Sequence, residues 1–255
     1  MRRMPAIFIG HGSPMNAVEA NPFSPQWSEA AREMPRPEAI LCVSAHWLTE
    51  GSFAATAARP ETIHDFWGFP QALYDITYPA PGSPETAGAA MRAVKSASVA
   101  PDPEWGLDHG AWCVLRAMYP EADIPVCQLS IDMHAAPEAH HAIGRELAPL
   151  REEGVLILCS GNIVHNLGML RRSEPPHAWA VEFDEAVRDA VERCADEELF
   201  DPARFGKAGK LSVPTSEHYW PLLYALGAAS HDEKPRWFAE GFDLSSISMR
   251  SAVFG

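Results

Sequence analysis

Four histidines fall just after short apolar runs or just before one, where a parallel sheet presents its ligands. His11 sits in Gly10-His11-Gly12-Ser13-Pro14-Met15, His46 in Ser44-Ala45-His46-Trp47, and His165 in Gly161-Asn162-Ile163-Val164-His165-Asn166. His218 lies in Glu217-His218-Tyr219-Trp220-Pro221, with Pro221 marking the start of an apolar helix. Glycines beside His11 and before His165 allow the backbone to bend so that an imidazole can enter a crevice. Imidazole binds zinc, copper and iron, so His11, His46, His165 and His218 are candidate ligands of one divalent ion. Taken alone, each reads more readily as a core or loop histidine satisfied by a hydrogen bond. Their shared placement at strand ends favours the metal site.

His109, in Gly106-Leu107-Asp108-His109-Gly110, is a candidate acid-base or substrate-contacting group whose tautomer Asp108 could fix. Equally, Asp108 could cap a helix beginning near Ala111. The loop His64-Asp65-Phe66-Trp67-Gly68-Phe69-Pro70 places aromatic residues around a His-Asp pair. It suits a flat ring substrate, or else forms a satellite apolar cluster under a long loop. His140, His141, His177 and His231 read as helical or polar-loop surface. Dinucleotide, P-loop and α/β-hydrolase fingerprints are missing from the sequence.

The elements that must position these residues are continuous apolar runs, the mark of strands covered on both faces: residues 6–9, 40–44, 125–129 and 155–159. Helical periodicity over residues 84–96, 136–151 and 179–193 alternates with them. Residues 52–57 and 244–254 are candidate edge strands. The expectation is one α/β domain over residues 1–255, with a mostly parallel central sheet, helices on both faces and the metal site at the C-terminal ends of the strands. Proline clusters at 22–37, 60–84 and 101–103 predict long ordered loops, which usually carry function.

A net charge of −14 disfavours nucleic acid and anionic lipid as partners. No apolar run approaches the roughly 20 residues that span a bilayer. The basic start Met1-Arg2-Arg3-Met4 leads into a first strand without a signal peptide's long apolar region. Five cysteines without a CxxC pair fit a reducing cytoplasm.

Several of these segments, in order along nearly the whole chain, resemble the 4,5-DOPA branch of the class III extradiol dioxygenases, relatives of the catalytic subunit of protocatechuate 4,5-dioxygenase. They are Gly10 to Met15, Ser44 to Trp47, His64 to Phe66 with Gly68 to Pro70, Tyr78-Pro79-Ala80-Pro81-Gly82, Asp108 to Gly110, Gly161-Asn162 with His165-Asn166, and Glu217 to Tyr219 with Pro221-Leu222-Leu223. The resemblance implies that His11 and His46 bind the metal. A third ligand near the last long helix is Glu217 or His218, with His218 favoured. His165 is implied as proton carrier or fourth ligand, and His109 as a contact to the substrate or oxygen. It further implies Fe(II) for activity, with Zn(II) as an alternative occupant, and a catechol and O2 as reactants. Asp65 is a candidate partner for a substrate ammonium; no partner for a carboxylate stands out. A zinc hydrolase using metal-bound water and a non-catalytic binding protein on the same fold are the competing readings.

Overall fold

The apolar runs become strands because both faces of the sheet are covered, and side chains alternate between two helical layers. The structure, a computed structural model, describes residues 3–255; Met1 and Arg2, at the basic start of the chain, lie outside the described residues. In chain order the strands are β1 (Ala6–Gly10), β2 (Ala39–Thr49), β3 (Ser52–Ala55), β4 (Val99–Asp102), β5 (Val126–Asp132), β6 (Val155–Gly161), β7 (Pro235–Phe238), β8 (Phe242–Asp243), β9 (Ile247–Ser248) and β10 (Ser251–Phe254). The α-helices are α1 (Ser24–Glu33), α2 (Gln71–Tyr74), α3 (Pro84–Ala93), α4 (His109–Met118), α5 (Pro137–Leu147), α6 (Ala178–Glu192), α7 (Gly206–Ser212) and α8 (Trp220–Ala228).

Eight strands form one sheet in the order β4-β3-β5-β2-β6-β1-β10-β7, while β8 and β9 pair separately. The four central strands, β5, β2, β6 and β1, run parallel. β3 and β10 join them antiparallel on either side. Phe8, Leu41, Val43 and Ile157 face the layer containing α3, α5, α6 and α8. Ile7, Ile9, Ile40 and Leu158 face the layer built on Trp27 of α1 and Trp112 of α4. The expected single α/β domain with a mostly parallel sheet and helices on both faces is therefore observed. Among the described residues no helix is long and apolar enough to cross a membrane.

The departures from expectation have local causes. The helix expected over 136–151 stops at Leu147 and tightens into a 3-10 turn over Ala148–Glu153, because Pro149 has no N–H to continue the ladder. β4 overlaps the 101–103 proline cluster read as loop; it is an edge strand, where a missing N–H costs no ladder bond. Helix α4 begins at His109, two residues earlier than expected. Every residue of α8 from Pro221 to Ala228 is buried, so this helix is anchored on all sides and fixes the turn before it.

His140, expected on the surface, is wholly buried on α5. Its Nδ1 lies 3.0 Å from the Tyr224 hydroxyl, and its ring lies 4.7 Å from that of Trp220. Burial pushes its pKa from 6.5 down to about 4, against a weak opposing pull from Asp132. The unfolded chain therefore takes this proton first as pH falls. Stability associated with neutral His140 is full above about pH 6.5 and is lost progressively toward pH 4, by up to about 3 kcal/mol. Urea unfolding of metal-free protein at pH 7.5 and pH 5 should show a drop that His140→Gln reduces by about 1 kcal/mol or more. Identical drops in the two proteins would contradict this.

Candidate metal centre and active-site cavity

His11 follows β1 directly, and its turn needs Gly12 in the left-handed region at φ 61°. The His11 backbone N–H donates to Gly161 O at 3.1 Å, tying this turn to the end of β6. Its Nδ1 lies 2.9 Å from Ser160 Oγ. Because the Ser160 hydroxyl donates to Gly110 O at 2.6 Å, its oxygen is left to accept from His11 Nδ1–H. That assignment leaves the lone pair on His11 Nε2.

His46 does not follow a strand that ends at Ser44, as expected. β2 runs on to Thr49, and His46 lies where its register against β5 shifts between Val43 and Leu48. Such irregularities re-aim side chains at functional sites. The His46 Nδ1 lies 3.2 Å from Asp65 Oδ2, and its Nε2 lies 3.2 Å from His11 Nε2.

Asp65 also accepts from His109, through Nδ1 at 2.8 Å and through the backbone N–H at 2.9 Å. Burial alone would raise the Asp65 carboxyl, but the hydrogen bonds from His109 and His46 outweigh it and hold the group well below the usual carboxylate range. Of the two expectations for Asp108, the helix cap is the one observed, and Asp65 takes the other place, beside the His109 ring. Asp108 caps α4, accepting from Ala111 N at 3.1 Å, Ser44 Oγ at 2.6 Å and Gln128 Nε2 at 2.8 Å. It thereby pins the start of α4 to β2 and β5.

His218 stands in the turn before α8, with Nδ1 3.1 Å from Glu217 Oε1. Thr215 Oγ1 donates to the same carboxylate oxygen at 2.8 Å. Of the two neighbours, His218 lines the cavity and Glu217 holds its ring from behind. The glycine before His165 serves close approach rather than a turn: a Cβ at Gly161 would sit 2.2 Å from His218 O. His165 stacks on His218, with ring centroids 3.5 Å apart and planes 7° apart. Among the described residues its ring takes no protein hydrogen bond. Burial lowers its pKa to about 4, despite Glu217 pulling upward. Burial likewise lowers His11, His218 and His109, with neighbouring imidazoles adding to the effect.

All five rings line one cavity of about 400 Å³. Its other walls are largely apolar, including Pro14, Met15, Phe66, Phe69, Leu170 and Ile247. Ligand atoms of His11, His46 and His109 lie within 4.8 Å of one another, as do those of His165, Glu217 and His218, the last group including the carboxylate behind the cavity wall. Of the three loop residues expected to bind substrate, only Phe66 reaches the cavity. His64 turns to Ile76 O at 3.0 Å, and Asp65 turns to the two imidazoles. Sequence reasoning missed Ser160 and the supporting role of Glu217; their only signal was adjacency to a strand end or to a candidate ligand.

Residues 5–255 match the family model described as the catalytic LigB subunit of aromatic ring-opening dioxygenase. The chain belongs to the LigB family. A protein from Escherichia coli (strain K12) named 4,5-DOPA dioxygenase extradiol is 46% identical over 258 residues, covering 99% of this chain and 95% of that protein. Its namesake from Beta vulgaris is 40% identical over 255 residues, covering 97% and 95%. A crystal structure of an uncharacterized protein from Escherichia coli K12 superposes with a TM-score of 0.86 at 41% identity, covering 99% of this chain and 100% of that one.

In this LigB chain one carboxylate orients two imidazoles, so its loss should be felt as a loss of metal binding. Asp65→Asn is expected to weaken Zn(II) binding about 10- to 100-fold, measured by competition with a chromogenic chelator, while the far-UV circular dichroism stays unchanged. Unchanged affinity would contradict this role for Asp65.

Proposed function

We propose that this chain is an extradiol dioxygenase that opens a catechol beside its two hydroxyls and places both atoms of O2 in the product, with residues 1–255 acting as one catalytic domain. The observation that supports this most is the set of imidazoles, braced from behind, that lines an apolar cavity sized for an aromatic ring.

The donor set fits a divalent ion. His11 and His46 each engage Nδ1 elsewhere, so two Nε2 lone pairs face each other at 3.2 Å, a repulsive arrangement that a cation relieves. That separation is less than twice a metal–imidazole bond of about 2.1 Å, so one ion can touch both nitrogens. His11, His46 and His218 would hold the ion, Fe(II) for activity, with Zn(II) able to occupy the same nitrogen donors. Bound there, Fe(II) would supply the meeting point of catechol oxygens and O2 and the electron exchange between them.

His165, expected as ligand or proton carrier, is assigned to the proton. Its ring is uncharged at neutral pH and, among the described residues, no protein partner fixes its tautomer, so it can take a proton from a catechol hydroxyl and return it as the ring opens. His109, with Nδ1–H on Asp65, offers Nε2 as acceptor to the second hydroxyl, and the Asp65 carboxylate stabilises the imidazolium if that proton moves. Phe66 meets the His109 ring edge-on at 5.5 Å and, with Phe69, gives the cavity an aromatic wall.

Protein reconstituted anaerobically with Fe(II) or Zn(II), given a catechol panel and then labelled O2, tests this directly. The expected result is O2 uptake with Fe(II) only, one O2 per catechol, both labelled atoms in a yellow ring-opened product, and kcat about 100-fold or more lower in His165→Ala. Turnover of a hydrolysable substrate with Zn(II) and no oxygen demand would support the hydrolase instead. Silence with every catechol would overturn the proposal.

A further inference from the structure

Apart from its histidines, the cavity wall contains one charged side chain among the described residues, Arg172. Its neighbour Arg171 is paired with Glu174 at 3.0 Å, whereas Arg172 makes no ion pair among the described residues. Beyond it lies a second chamber of about 500 Å³ that shares Ser13, Met15, Phe69, Arg172 and Leu244 with the first. This outer chamber adds two carboxylates, Glu19 and Asp243. A molecule whose ring occupies the apolar inner chamber therefore meets a cation and then acids as its substituent extends outward.

The position of these charges is built into the fold. The Arg171 backbone N–H donates to Leu244 O at 2.9 Å, and Ser245 Oγ donates to Arg171 O at 3.1 Å and to Glu174 O at 2.9 Å. Leu244 and Ser245 hold φ values of 48° and 67°, a region that non-glycine residues occupy only when surrounding bonds fix them. The same pair of loops is joined again where Asn166 N donates to Ser246 O at 3.1 Å, one residue past His165. Arg172 and Asp243 thus sit on two loops sewn together beside the proposed proton carrier.

We infer that Arg172 and Asp243 select the substrate by its side chain, Arg172 taking a carboxylate and Asp243, with Glu19, taking an ammonium. The assignment rests on the ring-cleavage reading for the ring itself. A guanidinium pairs with a carboxylate through parallel N–H bonds, and in a chain of net charge −14 it supplies the local attraction that an anionic group otherwise lacks. The two acids oppose a tail that carries a carboxylate alone. An α-amino acid tail satisfies both signs. This provides the carboxylate partner that sequence reading did not find, and moves the ammonium from Asp65 to Asp243.

The test measures dissociation constants anaerobically on the Zn(II)-loaded protein by calorimetry. Four ligands are compared: 4-methylcatechol, dopamine, 3,4-dihydroxyphenylpropionate and L-DOPA. Wild type should bind L-DOPA most tightly. Arg172→Gln should reduce the preference for L-DOPA over dopamine about 10-fold, with Arg172→Lys recovering part of it; Asp243→Asn should reduce the preference for L-DOPA over the propionate by a similar factor. Affinities that are equal or undetectable across the four ligands in wild type, or preferences unmoved by either variant, overturn the assignment. Binding that follows this pattern without ring opening by the Fe(II) protein would leave the selection pair standing and remove the dioxygenase reading.

Discussion

Asp65 accepts N–H groups from His109 and His46 at once, and the chemistry of the cavity depends on that shared carboxylate. An imidazole can donate a lone pair forward only if its other nitrogen holds the proton. Ser160 does for His11, and Glu217 for His218, what Asp65 does for its two rings. Burial reinforces the tautomers by keeping His11, His109 and His218 uncharged. His165 has no such brace among the described residues, which is why the proton is assigned to it in the proposed reaction.

The scaffold brings these groups together by adjacency of strands that are far apart in sequence. β1, β6 and β2 are neighbours, so His11, Ser160 and His46 meet at their carboxyl ends. The buried helix α8 holds the His218 turn against Gly161, where only a glycine leaves room. Asp108 secures the start of α4 to β2 and β5, placing His109 between them. A small displacement in any of these contacts would be passed to an imidazole, because the rings stand on short segments with several fixed neighbours.

Much of this was legible in the sequence. Uniformly apolar runs marked the central strands, since burial on both faces leaves no polar alternation, and histidines at their ends marked the cavity. What escaped were the supports. Ser160 and Glu217 act through contacts between residues distant in sequence or through ring orientation, neither of which leaves a periodic trace. His46 was misplaced relative to its strand because a register shift has no compositional signature. His140 looked like a surface residue because helical periodicity does not reveal that Tyr224 supplies its partner from another helix. Arg172 was hidden in a polar loop, and gained meaning only when its neighbours across the cavity were known.

Whether the braced imidazoles share one ion is the central claim, and X-ray absorption at the metal edge of the Zn(II)-loaded protein addresses it most directly. The account predicts a nitrogen shell at about 2.0–2.1 Å with outer-shell scattering from at least three imidazoles, reduced when His11 and His46 are both replaced by alanine. A shell of oxygens alone, or an imidazole signal unchanged in that double variant, would contradict it.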